Sequence, residues 1–159
     1  MRLRSLVLAV LLGLGGCGGS SNSDSESADG TVAFEVLVTN APRSGVRSER
    51  RVVVRDAAAW DALWKEHAGD RAELQPKVDF NRRTLLAVFL DESSSCADSV
   101  RITQVTRESA RLMVRYRAVR LDSDIRCIID SRPSQIVSIP ATTDPVEFFE
   151  DAPEGPPPQ

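Results

Sequence analysis

Apolar positions recur every second residue through 32–38, where Val32, Phe34, Val36 and Val38 are set against Ala33, Glu35 and Leu37. That period predicts a first strand. Asn40, Pro42, Ser44 and Gly45 then punctuate the chain as a loop. A second strand is predicted over 51–55, with Val52 and Val54 on one face and Val53 on the other. The period changes after it. Asp56 stands as an N-cap before Ala57, Ala58 and Ala59, and Trp60, Leu63, Trp64 and His67 follow at i, i+3, i+4 and i+7. Gly69 occupies the place of a left-handed terminator, so one amphipathic helix is predicted. Residues 76–83 form a connector, and 84–90 are continuously apolar, the pattern of a central strand covered on both faces. A hairpin over 99–106 and 110–119, turning near Arg107, Glu108 and Ser109, precedes strands at 135–139 and 146–149. One early tryptophan-bearing helix on a mostly antiparallel sheet predicts an α+β domain. The pattern leaves open whether that sheet stays open or curls into a small barrel.

The two ends carry no such periodicity. Arg2 and Arg4 precede an apolar stretch from Leu6 to Leu14, the layout of an export signal too short to remain as a membrane span. Leu14, Gly15, Gly16 and Cys17 follow it and resemble the lipobox of bacterial lipoproteins. The resemblance implies a signal peptide over 1–16, cleavage before Cys17 and lipidation of its thiol. Acyl chains, at about 0.8 kcal/mol per buried methylene, are a firm anchor. Gly18 stands where an Asp would mark inner-membrane retention, which points to the outer membrane, facing the periplasm or the surface. Residues 17–30 are rich in Gly, Ser, Asn, Asp and Glu and read as a flexible tether. The folded domain is expected over 31–149, with a Pro-rich tail over 150–159.

Composition narrows the chemistry. The chain of 159 residues carries 20 basic and 23 acidic side chains, a formal net charge of -3, which argues against a nucleic-acid binder. One His and three Cys are too few for a multi-ligand zinc or iron–sulfur site, so no metal or cofactor is expected. With Cys17 lipidated, Cys96 and Cys127 remain as an even pair, which in an exported protein most simply forms a disulfide. Trp60, Trp64, Phe80 and Phe89 read as core anchors. His67 is the single histidine and falls on the apolar helix face, where a buried, hydrogen-bonded ring outweighs a catalytic one. Ser93, Ser94 and Ser95 lack the Gly-x-Ser-x-Gly setting of a nucleophile and read as loop. Asp79 has no second carboxylate to make a catalytic pair and either caps a turn or pairs a base. From Arg101 to Arg132 there are eight Arg and four acids, an excess of four positive charges, whereas Pro133 onward holds five acids and no base. Arg111, Arg115 and Arg117 share one strand face, which either is solvated or meets an anionic partner.

Three segments together resemble a known family. They are Trp60-Asp61-Ala62-Leu63-Trp64-Lys65-Glu66-His67, then Pro76-Lys77-Val78-Asp79-Phe80-Asn81, then Leu85-Leu86-Ala87-Val88-Phe89-Leu90. Val100-Arg101-Ile102 and the stretch from Pro133 to Pro140 continue the likeness, which is to the C-terminal domain of the protease complex subunit PrcB family. The resemblance implies a non-catalytic envelope lipoprotein associated with an exported protease. It breaks at residues 91–98, where the family has a Gly-rich turn, and at Arg132-Pro133-Ser134 before the late strand. The expected function is therefore a lipid-anchored, non-enzymatic binding module that docks to an envelope protein. The alternatives are a lipoprotein that recognises envelope polymer through the Arg strand, and an envelope enzyme acting on peptide or glycan with Asp79 and His67.

Overall fold

A computed structural model describes residues 30–39, 44–95, 98–119 and 126–152, with only the backbone described at 70, 72, 94–95 and 126–130. The fold is α+β. Its centre is β4 (Arg83–Phe89), six of whose seven residues are buried. It pairs antiparallel with β3 (Arg50–Val54) on one side and with β9 (Ser134–Pro140) on the other. β9 pairs in turn with β2 (Glu35–Thr39), completing an inner sheet in the order β2-β9-β4-β3. Consecutive apolar residues suit a strand buried on both faces, and both faces of β4 are indeed covered.

On one face lies α1 (Ala57–Ala68). The Asp56 carboxylate accepts from the Ala59 amide at 2.8 Å, and the Gly69 amide donates to the Lys65 carbonyl with φ at 54°. Trp60, Leu63 and Trp64 pack there against Val54, Leu85, Ala87, Phe89 and Ile136. Phe80 is half-buried at the margin of the same cluster. A 3-10 segment (Gly69–Leu74) then leads into the connector toward β4.

On the opposite face lies an outer sheet whose strands, in order, are β1 (Gly30–Thr31), β6 (Ser99–Glu108), β7 (Arg111–Val119) and β10 (Val146–Glu150). Its hairpin joins β6 (Ser99–Glu108) to β7 (Arg111–Val119) through Ser109 and Ala110, both at positive φ. Two successive left-handed residues match the right-handed strand twist of a two-residue hairpin. The turn thus falls on 109–110. Leu112, Val114 and Tyr116 from β7 and Val100, Ile102 and Val105 from β6 meet Leu86, Val88, Val137 and Ile139 between the sheets. Neither sheet closes on itself, so the structure is a sandwich with a helix on one side.

Two features depart from the sequence pattern. Of the single strand expected over 32–38 only the later part is strand: β2 pairs with β9, whereas a separate β1 (Gly30–Thr31) ahead of the expected strand pairs with β6. Val32 and Phe34 lie between them, packed against the inter-sheet core as the chain crosses from one layer to the other. A register shift between Val36 and Val38 lets Leu37 and Val38 both pack on the helix-side cluster. The expected loop at Ser93, Ser94 and Ser95 is instead β5 (Ser93–Ser95), antiparallel to β8 (Arg126–Ser131) in a two-stranded ladder. No apolar alternation marks that pair. The final strand, β10 (Val146–Glu150), runs parallel to β7, with Phe148 opposite Val114.

Candidate functional site

Among the described residues the versatile side chains first meet under the C-terminal end of α1. His67 and Ser44 are both buried, at 2% and 1% exposure. The Ser44 hydroxyl lies 2.9 Å from His67 Nδ1 and accepts from the Val46 amide at 3.2 Å. The hydroxyl and the ring thus share one hydrogen bond while the hydroxyl also serves the Val46 amide. Burial pushes the His67 pKa down, and the nearby Arg71 charge adds to that. The ring continues an aromatic file, 5.5 Å from Trp64 and 5.7 Å from Phe89 between centroids. The Gly45 amide donates to the His67 carbonyl at 3.0 Å, and a Cβ at Gly45 would fall 2.0 Å from the Glu66 carbonyl oxygen. Glycine is required by that approach. Arg132 reaches the Ser44 carbonyl at 3.2 Å and pairs with Glu92, so the serine is held from three sides. A hydroxyl and imidazole so buried fasten the loop to the helix, and a small cavity of about 150 Å³ lined by Val38, Trp64, His67, Ala68, Arg71 and Leu74 lies beside the ring.

The arginine row lies on the outer sheet, and the acid that meets it there is the chain's own last strand. Arg111 Nη1 donates to Glu147 at 2.8 Å, and Arg115 Nη1 donates to Asp151 at 3.0 Å. Asp151 also accepts from the Thr103 hydroxyl at 2.9 Å, and its amide donates to the Tyr116 carbonyl. Hydrogen bonds from Arg115 and Thr103 hold the Asp151 carboxyl below the usual carboxylate range, with the charges of Arg115 and Arg117 adding to them. The Arg-rich hairpin and the acidic C-terminus are thus paired in cis. Both arginines keep more than half their side-chain surface exposed. At the rim between the sheets, the half-buried Arg51 stacks over the Tyr116 ring at 4.9 Å and donates to its hydroxyl, which donates to Glu150 at 3.2 Å. Burial raises the Tyr116 pKa.

A third region opens on the helix side of the inner sheet. A groove of about 630 Å³ lies between the connector and the Glu35 end of β2. Leu37 and Ser138 form its floor, and Lys77, Arg82 and Arg83 bring three cations to its walls. The Asp79 carboxylate caps the turn, accepting from the Asn81 amide at 3.1 Å while the Asp79 carbonyl accepts from the Arg82 amide at 3.0 Å. Of the two readings open for Asp79, the structure gives the turn. Arg83 reaches Glu35 only at 3.5 Å, with both side chains substantially exposed. Among the described residues neither Lys77 nor Arg82 has an acidic partner. Sequence reasoning passed over this cluster because no motif marks it; the adjacent Arg82 and Arg83 were the available signal.

Cys17 and Cys96 lie outside the described residues, as does the side chain of Cys127. Among the described residues no group of three His, Cys, Asp or Glu is arranged to hold a metal, and no helix is long and apolar enough to cross a membrane. Comparison with known protein families, with curated proteins and with solved structures returns no match.

Proposed function

We propose that this chain is a lipid-anchored, non-enzymatic binding module of the bacterial envelope, moored through Cys17 and docking to an envelope protein. The observation that carries the reading is the enclosure of the only histidine: His67 and its Ser44 partner are spent on fastening a loop to a helix. Exposed charge, by contrast, is plentiful on two faces, the Arg111–Arg115 row and the cationic groove. Such surfaces recognise partners of opposite charge and set their orientation. The sequence likeness to the PrcB C-terminal domain makes an exported protease the partner class. Crosslinking in intact cells, followed by mass spectrometry, is expected to recover one dominant envelope protein. That protein, once purified, should bind the purified lipoprotein directly. Recovery of no partner in cells, or no binding between the purified pair, overturns the proposal.

A further inference from the structure

We infer that the groove bounded by Lys77, Arg82 and Arg83 takes an extended acidic peptide segment, whose carboxylates pair with the two cations that have no acid among the described residues. The inference deepens the docking reading and rests on it for the source of the peptide. The whole chain is acidic, at a formal charge of -3, so a partner's acidic segment gains nothing from the overall field. Capture must come from local contacts, and the groove supplies them. Lys77 and Arg82 are exposed and have no acidic partner among the described residues. The third cation, Arg83, is engaged only by the long contact to Glu35, which an incoming carboxylate can replace at little cost. The Asp79 carboxylate caps the turn through the Asn81 amide, and with Glu35 it leaves the lining at three cations to two acids.

The lining also selects among anions. Leu37, Val78 and Pro140 place apolar surface between the charges. That mixture suits a chain in which acidic side chains alternate with apolar ones. A compact phosphate would leave the apolar surface uncovered.

The test uses the full lipidated chain in detergent micelles. The probe is a fluorescein-labelled octapeptide alternating Glu and Val, compared with its Gln and Val counterpart by fluorescence anisotropy. The acidic peptide is expected to bind about tenfold tighter than the neutral one, and less tightly as ionic strength rises. The double variant Lys77→Ala, Arg82→Ala should lose about that tenfold preference while keeping its melting temperature, since both side chains are exposed. The double variant Arg47→Ala, Arg101→Ala, which removes two exposed cations elsewhere, should bind as the unaltered chain does. The inference is overturned by equal affinity for the two peptides, by undiminished binding in the groove variant, or by equal loss in the control variant. Displacement of the peptide by millimolar inorganic phosphate also overturns it, assigning the groove to small anions. These readouts are independent of crosslinking in cells. A chain that prefers the acidic peptide but has no envelope partner leaves the groove assigned and removes the docking proposal.

Discussion

At the scale of single residues, a buried histidine that stays neutral makes the fold sensitive to mild acid. The folded-state pKa of His67 lies below its ordinary value because burial disfavours the cation. The unfolded chain therefore takes up the proton first as pH falls, near 6.5, and the folded state is penalised. Melting temperature should hold steady from pH 8 to pH 7 and decline as pH drops through about 6.5, in a window above that of the carboxylates. A His67→Gln variant, followed by circular dichroism across the same range, should lose the part of the slope that sets in below about pH 6.5. An identical slope in the variant would assign the acid sensitivity to other groups. The bland part of this site was legible: spacing put His67 on the apolar helix face, and it is buried there. Its partner was not legible, because Ser44 lies 23 positions away in a loop with no periodicity.

Among the elements, the helix and the central strand could be read from sequence because each satisfies one strong local rule. Asp56 and Gly69 terminate α1, and an unbroken apolar run from Leu85 to Phe89 makes up most of β4. The weakly marked elements were the ones misread. The alternation over 32–38 could not reveal that its first residues, 32–34, cross between the layers and only the rest is strand, since a crossing segment packed between layers is as apolar as a strand. Three serines gave no sign of β5, whose existence depends on a partner more than thirty residues later. The hairpin turn carries a cost that can be measured. Ser109 and Ala110 both occupy left-handed backbone conformations without being glycine. An Ala110→Gly change removes a penalty of about 1–2 kcal/mol and returns part of it as added freedom in the unfolded chain. A net gain of about 0.5–1 kcal/mol is expected in urea unfolding. A loss of stability would show that the turn holds no such strain.

For the molecule as a whole, the proposed address and the proposed crosslink stand or fall on one measurement. Intact mass of the purified mature protein should show residues 1–16 removed, acyl chains added at Cys17, and two hydrogens missing for a Cys96–Cys127 disulfide. The ladder places Ser95 opposite Arg126, each the immediate sequence neighbour of one of these cysteines. An unprocessed mass with every thiol free would remove the anchor and the disulfide together. Charge at this scale was legible only as a sum: the Arg-rich hairpin and the acid-rich end were visible in sequence, but their pairing through Arg111–Glu147 and Arg115–Asp151 needed the parallel register of β10. That same register has a temporal consequence. The outer layer takes its first strand from the start of the domain and its last from the finish, so a chain synthesised from its N-terminus cannot complete that layer until the closing residues arrive. Any product cut short before Val146 leaves a bare strand flank beside Leu112 and Val114, an invitation to aggregation or to quality-control proteolysis that the finished molecule withdraws.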